Sequence, residues 1–85
     1  MPKSQFSDGY RAFLDVLTAA RKEAGLTQTE LAERIGRKQG FISIIETGVR
    51  RLDVIEFCAL AQALGIPAGK LFERVTKALP DTLDI

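Results

Sequence analysis

Between Tyr10 and Leu79 apolar residues recur every three or four positions without any stretch of strict alternation, and each run closes on a glycine or a proline. That pattern predicts short amphipathic helices separated by tight turns, and no strands. The first helix is expected over residues 8–24, with Tyr10, Phe13, Leu14, Leu17 and Ala24 on its inward face, Ser7 or Asp8 as cap and Gly25 as stop. Thr27, with Glu30 three residues later, has the spacing of a capping box and opens a second helix over residues 28–35. Its Leu31, Ala32 and Ile35 share a face, and Gly36 can take the left-handed conformation that ends it. A third helix over residues 39–47 follows almost at once, with Ile42 and Ile45 inward, Phe41 beside them and Gly48 as stop.

After the loop GVRRL, Asp53 and Glu56 repeat the cap-and-reach-back spacing, starting a fourth helix whose Phe57, Leu60, Ala61 and Leu64 turn inward until Gly65. Pro67 suits the first turn of a fifth helix carrying Leu71 and Phe72, both expected in the core, with Val75 and Leu79, and Pro80 should stop it. The expected organisation is therefore a loose tail over residues 1–7, one all-α domain over residues 8–79 and a C-terminal tail over residues 80–85. At 85 residues and 46% hydrophobic content, one compact core is what the chain can build.

Two helices joined by a glycine turn, in TQTELAERIGRKQGFISIIETG, form a helix-turn-helix pattern. Here the chain resembles the lambda-repressor-like, Cro-type helix-turn-helix family. The resemblance is carried by LTQTELAERIG, the polar pair Lys38 and Gln39, the core pair Ile42 and Ile45, the turn ETG, and LAQALGIP followed by LF, from about Leu17 to Phe72. It implies a compact five-helix DNA-binding domain. It also implies an ion pair between Arg21 and Glu46, at the ends of the first and third helices, and a supporting contact from Gln28 to Gln39.

In a helix-turn-helix the second helix of the pair enters the major groove while the first braces on the backbone. With Ile42 and Ile45 inward, steps of ~100° per residue turn Gly40, Ser43, Ile44 and Thr47 outward, with Gln39 beside them at the helix start. Those five are the expected base-contacting positions. Gln39 is the best reader by chemistry, since an amide can accept from adenine N6 and donate to N7 together. Gln28, Arg37, Lys38, Arg50 and Arg51 are the expected phosphate contacts, which give register and affinity but little sequence information. Two positions depart from the family pattern. Gly40 has no side chain to read with, and Ile44, where these proteins carry a polar or basic reader, suits either thymine methyl groups or a protein surface.

The formal charge of +1 is low for a nucleic-acid binder, but its distribution along the chain is uneven. Residues 19–51 hold seven basic and four acidic side chains, whereas residues 52–85 hold three and five, so positive charge concentrates at the motif. Other chemistry finds little support. There is no histidine, and the single Cys58 sits in an apolar helical stretch, so neither a metal site, a cofactor nor an activated nucleophile is expected. No apolar run approaches the ~20 residues of a membrane span and the start MPKSQFSDG lacks a signal-peptide core, which predicts a cytoplasmic protein.

These features predict a transcriptional regulator of the phage-repressor type that binds a near-palindromic site on double-stranded DNA as a homodimer. Val75, Leu79, Leu83 and Ile85 are its expected dimer contacts. Phage repressors, restriction-modification controllers and antitoxins share this size and pattern. The alternative is a protein-interaction module on the same scaffold, such as an antitoxin or adaptor, with a toxin or polymerase as partner.

Overall fold

The computed structural model describes residues 7–83. Within them five helices follow one another: α1 (Asp8–Glu23), α2 (Gln28–Arg34), α3 (Gln39–Glu46), α4 (Val54–Leu64) and α5 (Ala68–Ala78). Among the described residues there is no strand. Within those residues no single helix is long and apolar enough to cross a membrane.

Local chemistry explains where the helices start. The Ser7 hydroxyl accepts from the Tyr10 amide at the head of α1. Both expected capping boxes are formed: Thr27 and Glu30 exchange hydrogen bonds of 3.1 and 2.8 Å at α2, and Asp53 and Glu56 exchange bonds of 2.7 and 3.0 Å at α4. The turn into α3 rests on Gly36, whose φ of +72° lets the Arg37 amide reach back to the Ala32 carbonyl at 2.9 Å. A side chain at this φ would crowd the backbone, so glycine is what allows so tight a turn.

α1 ends one residue earlier than the periodicity suggested, and Ala24 is exposed rather than inward. The chain unwinds there through Gly25, and Leu26, whose amide bonds the Arg21 carbonyl at 3.2 Å, enters the core in its place. Leu17, Ala20, Leu31, Ala32, Ile42, Phe57, Leu60, Ala61, Leu64, Leu71 and Val75 complete that core, with α1 against α3 and α5, and α2 against α3 and α4.

The fifth helix corrects two expectations. Val75, expected at a dimer contact, is 3% exposed and belongs to the monomer core, while Phe72, expected in the core, is 53% exposed. The geometry is simple: Leu71 and Val75 lie four residues apart on one face, and Phe72 stands ~100° away from it. Its ring meets the Phe57 ring edge-on, with centroids 6.1 Å apart. Leu79 lies just past the helix, half-buried against the core. Leu83 folds back over α1, where a Cβ added to Gly9 would come within 2.9 Å of its Cδ2. Ile85 and residues 1–6 of the expected tail lie outside the described residues.

Candidate nucleic-acid interface

The inward side of α3 is fixed by Ile42 and Ile45, each 1% exposed, so the opposite side must face solvent. Gln39, Gly40, Ile44 and Thr47 are exposed there, and Ser43 is half-buried. Ile44 is 39% exposed, an apolar side chain in the middle of a polar face. The Thr47 hydroxyl donates back to the Ser43 carbonyl at 3.0 Å, which ties it to its own helix.

Beneath this face lies a continuous polar chain. Arg21 donates from Nε to Glu46 Oε2 at 2.6 Å and from Nη2 to Glu46 Oε1 at 3.1 Å, while its Nη1 holds the Leu26 carbonyl at 2.8 Å. The Arg21 and Glu46 side chains are 9% and 11% exposed, so the pair is nearly removed from water. Gln28, at the head of α2, donates from Nε2 to Glu46 Oε1 at 2.9 Å and accepts from Gln39 Nε2 at 2.8 Å. The link from Gln28 to Glu46 was not foreseen from the sequence. Its signal is visible only once α2 and α3 are packed, since it joins residues eighteen positions apart.

Three of the cationic side chains at the motif lie against aromatic rings. Arg37 and Arg50 converge on Phe41, with guanidinium carbons 5.0 and 5.2 Å from its ring centroid. Arg50 also forks onto Glu56 with bonds of 2.9 and 2.7 Å. That fork, together with the Asp53 amide, holds the Glu56 carboxyl down at about 2. Part of the positive charge of the 48–52 loop is therefore answered by the acidic start of α4, a pairing that segment-by-segment charge sums conceal. Arg51 turns elsewhere and lies over the Tyr10 ring at 4.2 Å. Lys38 is exposed at the N-cap of α3.

A five-helix core that packs α2 against α3 and leaves the outward face of α3 in solvent defines a helix-turn-helix domain. The chain belongs to the helix-turn-helix family, of the XRE type: the family profile matches residues 17–71. An HTH-type transcriptional regulator of Sinorhizobium fredii, y4dJ, is 48% identical over 46 residues, covering 54% of this chain and 60% of that protein. Repressor protein C of Rhizobium phage 16-3 is 38% identical over 64 residues, covering 75% of this chain but only 24% of the repressor. The matched segment thus spans less than two thirds of either relative. Among solved structures, an XRE-family-like protein from Pseudomonas syringae pv. tomato superposes with a TM-score of 0.77 at 44% identity, over 85% of this chain and 88% of that one. A point mutant of the restriction-modification controller protein C.Esp1396I superposes with a TM-score of 0.78 at 26% identity, over 85% and 96%. Family and fold are those of DNA-binding transcriptional regulators, not of enzymes.

Proposed function

We propose that this chain is a sequence-specific DNA-binding regulator of the phage-repressor type, acting in the cytoplasm as a homodimer on a near-palindromic operator. The observation that carries the reading is Gln39: it stands exposed at the start of the outward α3 face and is held there by Gln28, as a base-reading side chain must be if its orientation is to be defined before it meets DNA. Gly40, Ser43, Ile44 and Thr47 complete the contacting face, with Ile44 suited to thymine methyl groups. Lys38 and Arg37 lie where phosphates pass the turn. Gln28, Arg50 and Arg51 add backbone contacts around them, Arg50 the weakest because Glu56 already holds its guanidinium.

One reading helix covers few base pairs, and a two-fold dimer doubles the information. Support for a second copy as partner comes from the apolar side chains left on the surface of α4, α5 and the chain end: Val54 at 75% exposed, Ile55 at 76%, with Phe72 and Leu83 near half. Leu83 lines one groove with Leu79, and Ile85 follows in sequence; half-sites would then lie ~34 Å apart on one face of the duplex.

The test is selection of sites from a random duplex pool, followed by titration with Gln39→Ala and Lys38→Ala and by sedimentation with and without the selected site. Gln39→Ala should lose about 1–3 kcal/mol on the selected site and relax preference at one base pair. Lys38→Ala should weaken all sequences alike and flatten the salt dependence. Equal loss on selected and scrambled DNA for Gln39→Ala, or a monomer that binds one half-site at full affinity, would reject the corresponding part of the reading.

A further inference from the structure

The hydrogen-bond chain that ends on Gln39 has a direction, and chemistry sets it at every link. Glu46, gripped by the Arg21 guanidinium through both oxygens, has only acceptors to offer. Gln28 must therefore turn its amide nitrogen toward Glu46, as it does at 2.9 Å. Its oxygen then faces Gln39, which must answer with nitrogen, as it does at 2.8 Å. Gln39 is left with one N–H and its carbonyl oxygen for the outside.

We propose that Glu46, which does not stand on the outward face, is a specificity-determining positioning residue: through Gln28 it fixes the polarity of the Gln39 amide, so that α3 accepts adenine and rejects guanine at one base pair. The inference rests on Gln39 being a base contact. In the major groove adenine presents the N7 acceptor beside the N6 donor, whereas guanine presents two acceptors, N7 and O6. An amide showing one N–H and one oxygen matches adenine with both bonds. Against guanine its oxygen would oppose O6, and two facing acceptors leave both without a donor. An amide free to flip could instead turn its NH2 group to guanine, so locking the polarity is what separates the two purines.

The experiment compares the parent with Glu46→Gln, Gln28→Ala and Gln39→Ala, each held at a temperature where circular dichroism shows it folded. Each is titrated against the selected duplex and against versions with the base pair identified by Gln39→Ala changed. The parent should prefer adenine to guanine there by about tenfold or more, within the range of a bidentate reader. Glu46→Gln introduces a group able to present either oxygen or nitrogen and should bring that ratio to within about threefold, with preferences at other positions kept. Gln28→Ala leaves the Arg21–Glu46 pair in place but disconnects it from Gln39; it should do the same, and it decides the matter if Glu46→Gln fails to fold. An adenine-to-guanine ratio retained in Gln28→Ala, or a loss in Glu46→Gln spread evenly over all sequences, would overturn the relay and leave Glu46 a structural residue. A Gln39→Ala protein that keeps the parent's preference at every position would instead overturn the base-contact reading beneath it.

Discussion

Replacing Glu46 by alanine removes three hydrogen bonds at once, two from Arg21 and one from Gln28, and leaves a guanidinium in a site where its side chain is 9% exposed. Breaking one side of a buried ion pair costs about 3–5 kcal/mol, most of it the penalty for the charge left behind. Two features place this case at the low end. Arg21 keeps its bond to the Leu26 carbonyl, and the pair lies close enough to the surface for water to reach the vacated position. The expected loss is about 3 kcal/mol, a large share of the ~5–15 kcal/mol that holds a domain of this kind together. Urea unfolding followed by circular dichroism should show the midpoint falling by about 1–3 M with an unchanged slope. The melting temperature should fall by roughly 12–24 °C. Glu46→Gln, which keeps a hydrogen-bonding group, should lose clearly less. A Glu46→Ala protein that unfolds at the parent's urea midpoint would refute the reasoning, because an ion pair of no consequence on removal behaves as a solvated surface pair.

Leu71→Ala should cost about 2–5 kcal/mol, since Leu71 is fully buried, whereas Phe72→Ala should cost about 1 kcal/mol or less; denaturant curves that rank them the other way would mean that α5 is rotated. Thr27→Ala removes the cap of α2 and should lower stability by about 1 kcal/mol, read from the same curves, with no change if the box is frayed in solution. Glu56 has its carboxyl held at about 2, below the ordinary 4.5, so its contribution is full above about pH 4.5 and is lost as pH falls towards 2. With Arg50 41% exposed, solvent screens the pair, so the stability gap between parent and Glu56→Gln should be small at neutral pH and close across that acid window; a gap independent of pH would contradict the assignment.

What the sequence made legible was the part of the fold governed by neighbours in the chain. Ser7, Thr27 and Asp53 cap amides three residues away, and a glycine turn leads into α3, so spacing alone carried those features. The third helix was legible for a related reason: two β-branched isoleucines three residues apart leave only one face free. The fifth was not. Leu71, Phe72, Val75 and Leu79 are all apolar, so periodicity offered more inward candidates than one helix face can bury, and only packing against α1 and α4 selected Leu71 and Val75. The Arg50–Glu56 fork escaped because the path of the 48–52 loop, not helical spacing, brings those side chains together. The Arg21–Glu46 pair was expected from family resemblance, since nothing local joins residues twenty-five positions apart.

A buried ion pair needs a reason to exist when apolar residues of similar volume often hold a core at least as well. The relay proposed for Glu46 supplies one. An apolar substitute for Arg21 and Glu46 could restore packing between α1 and α3, but it would offer Gln28 nothing to donate to, and an undirected Gln28 would leave Gln39 free to present either end of its amide. A neutral polar partner would be little better, since an amide or hydroxyl both donates and accepts and so transmits no polarity. An acceptor without protons to give imposes this one direction on the chain of amides, and a strong cation makes such an acceptor tolerable in a site so nearly buried. On this argument the charge on Glu46 is required by what stands at the far end of the chain, and the charge on Arg21 is required by Glu46.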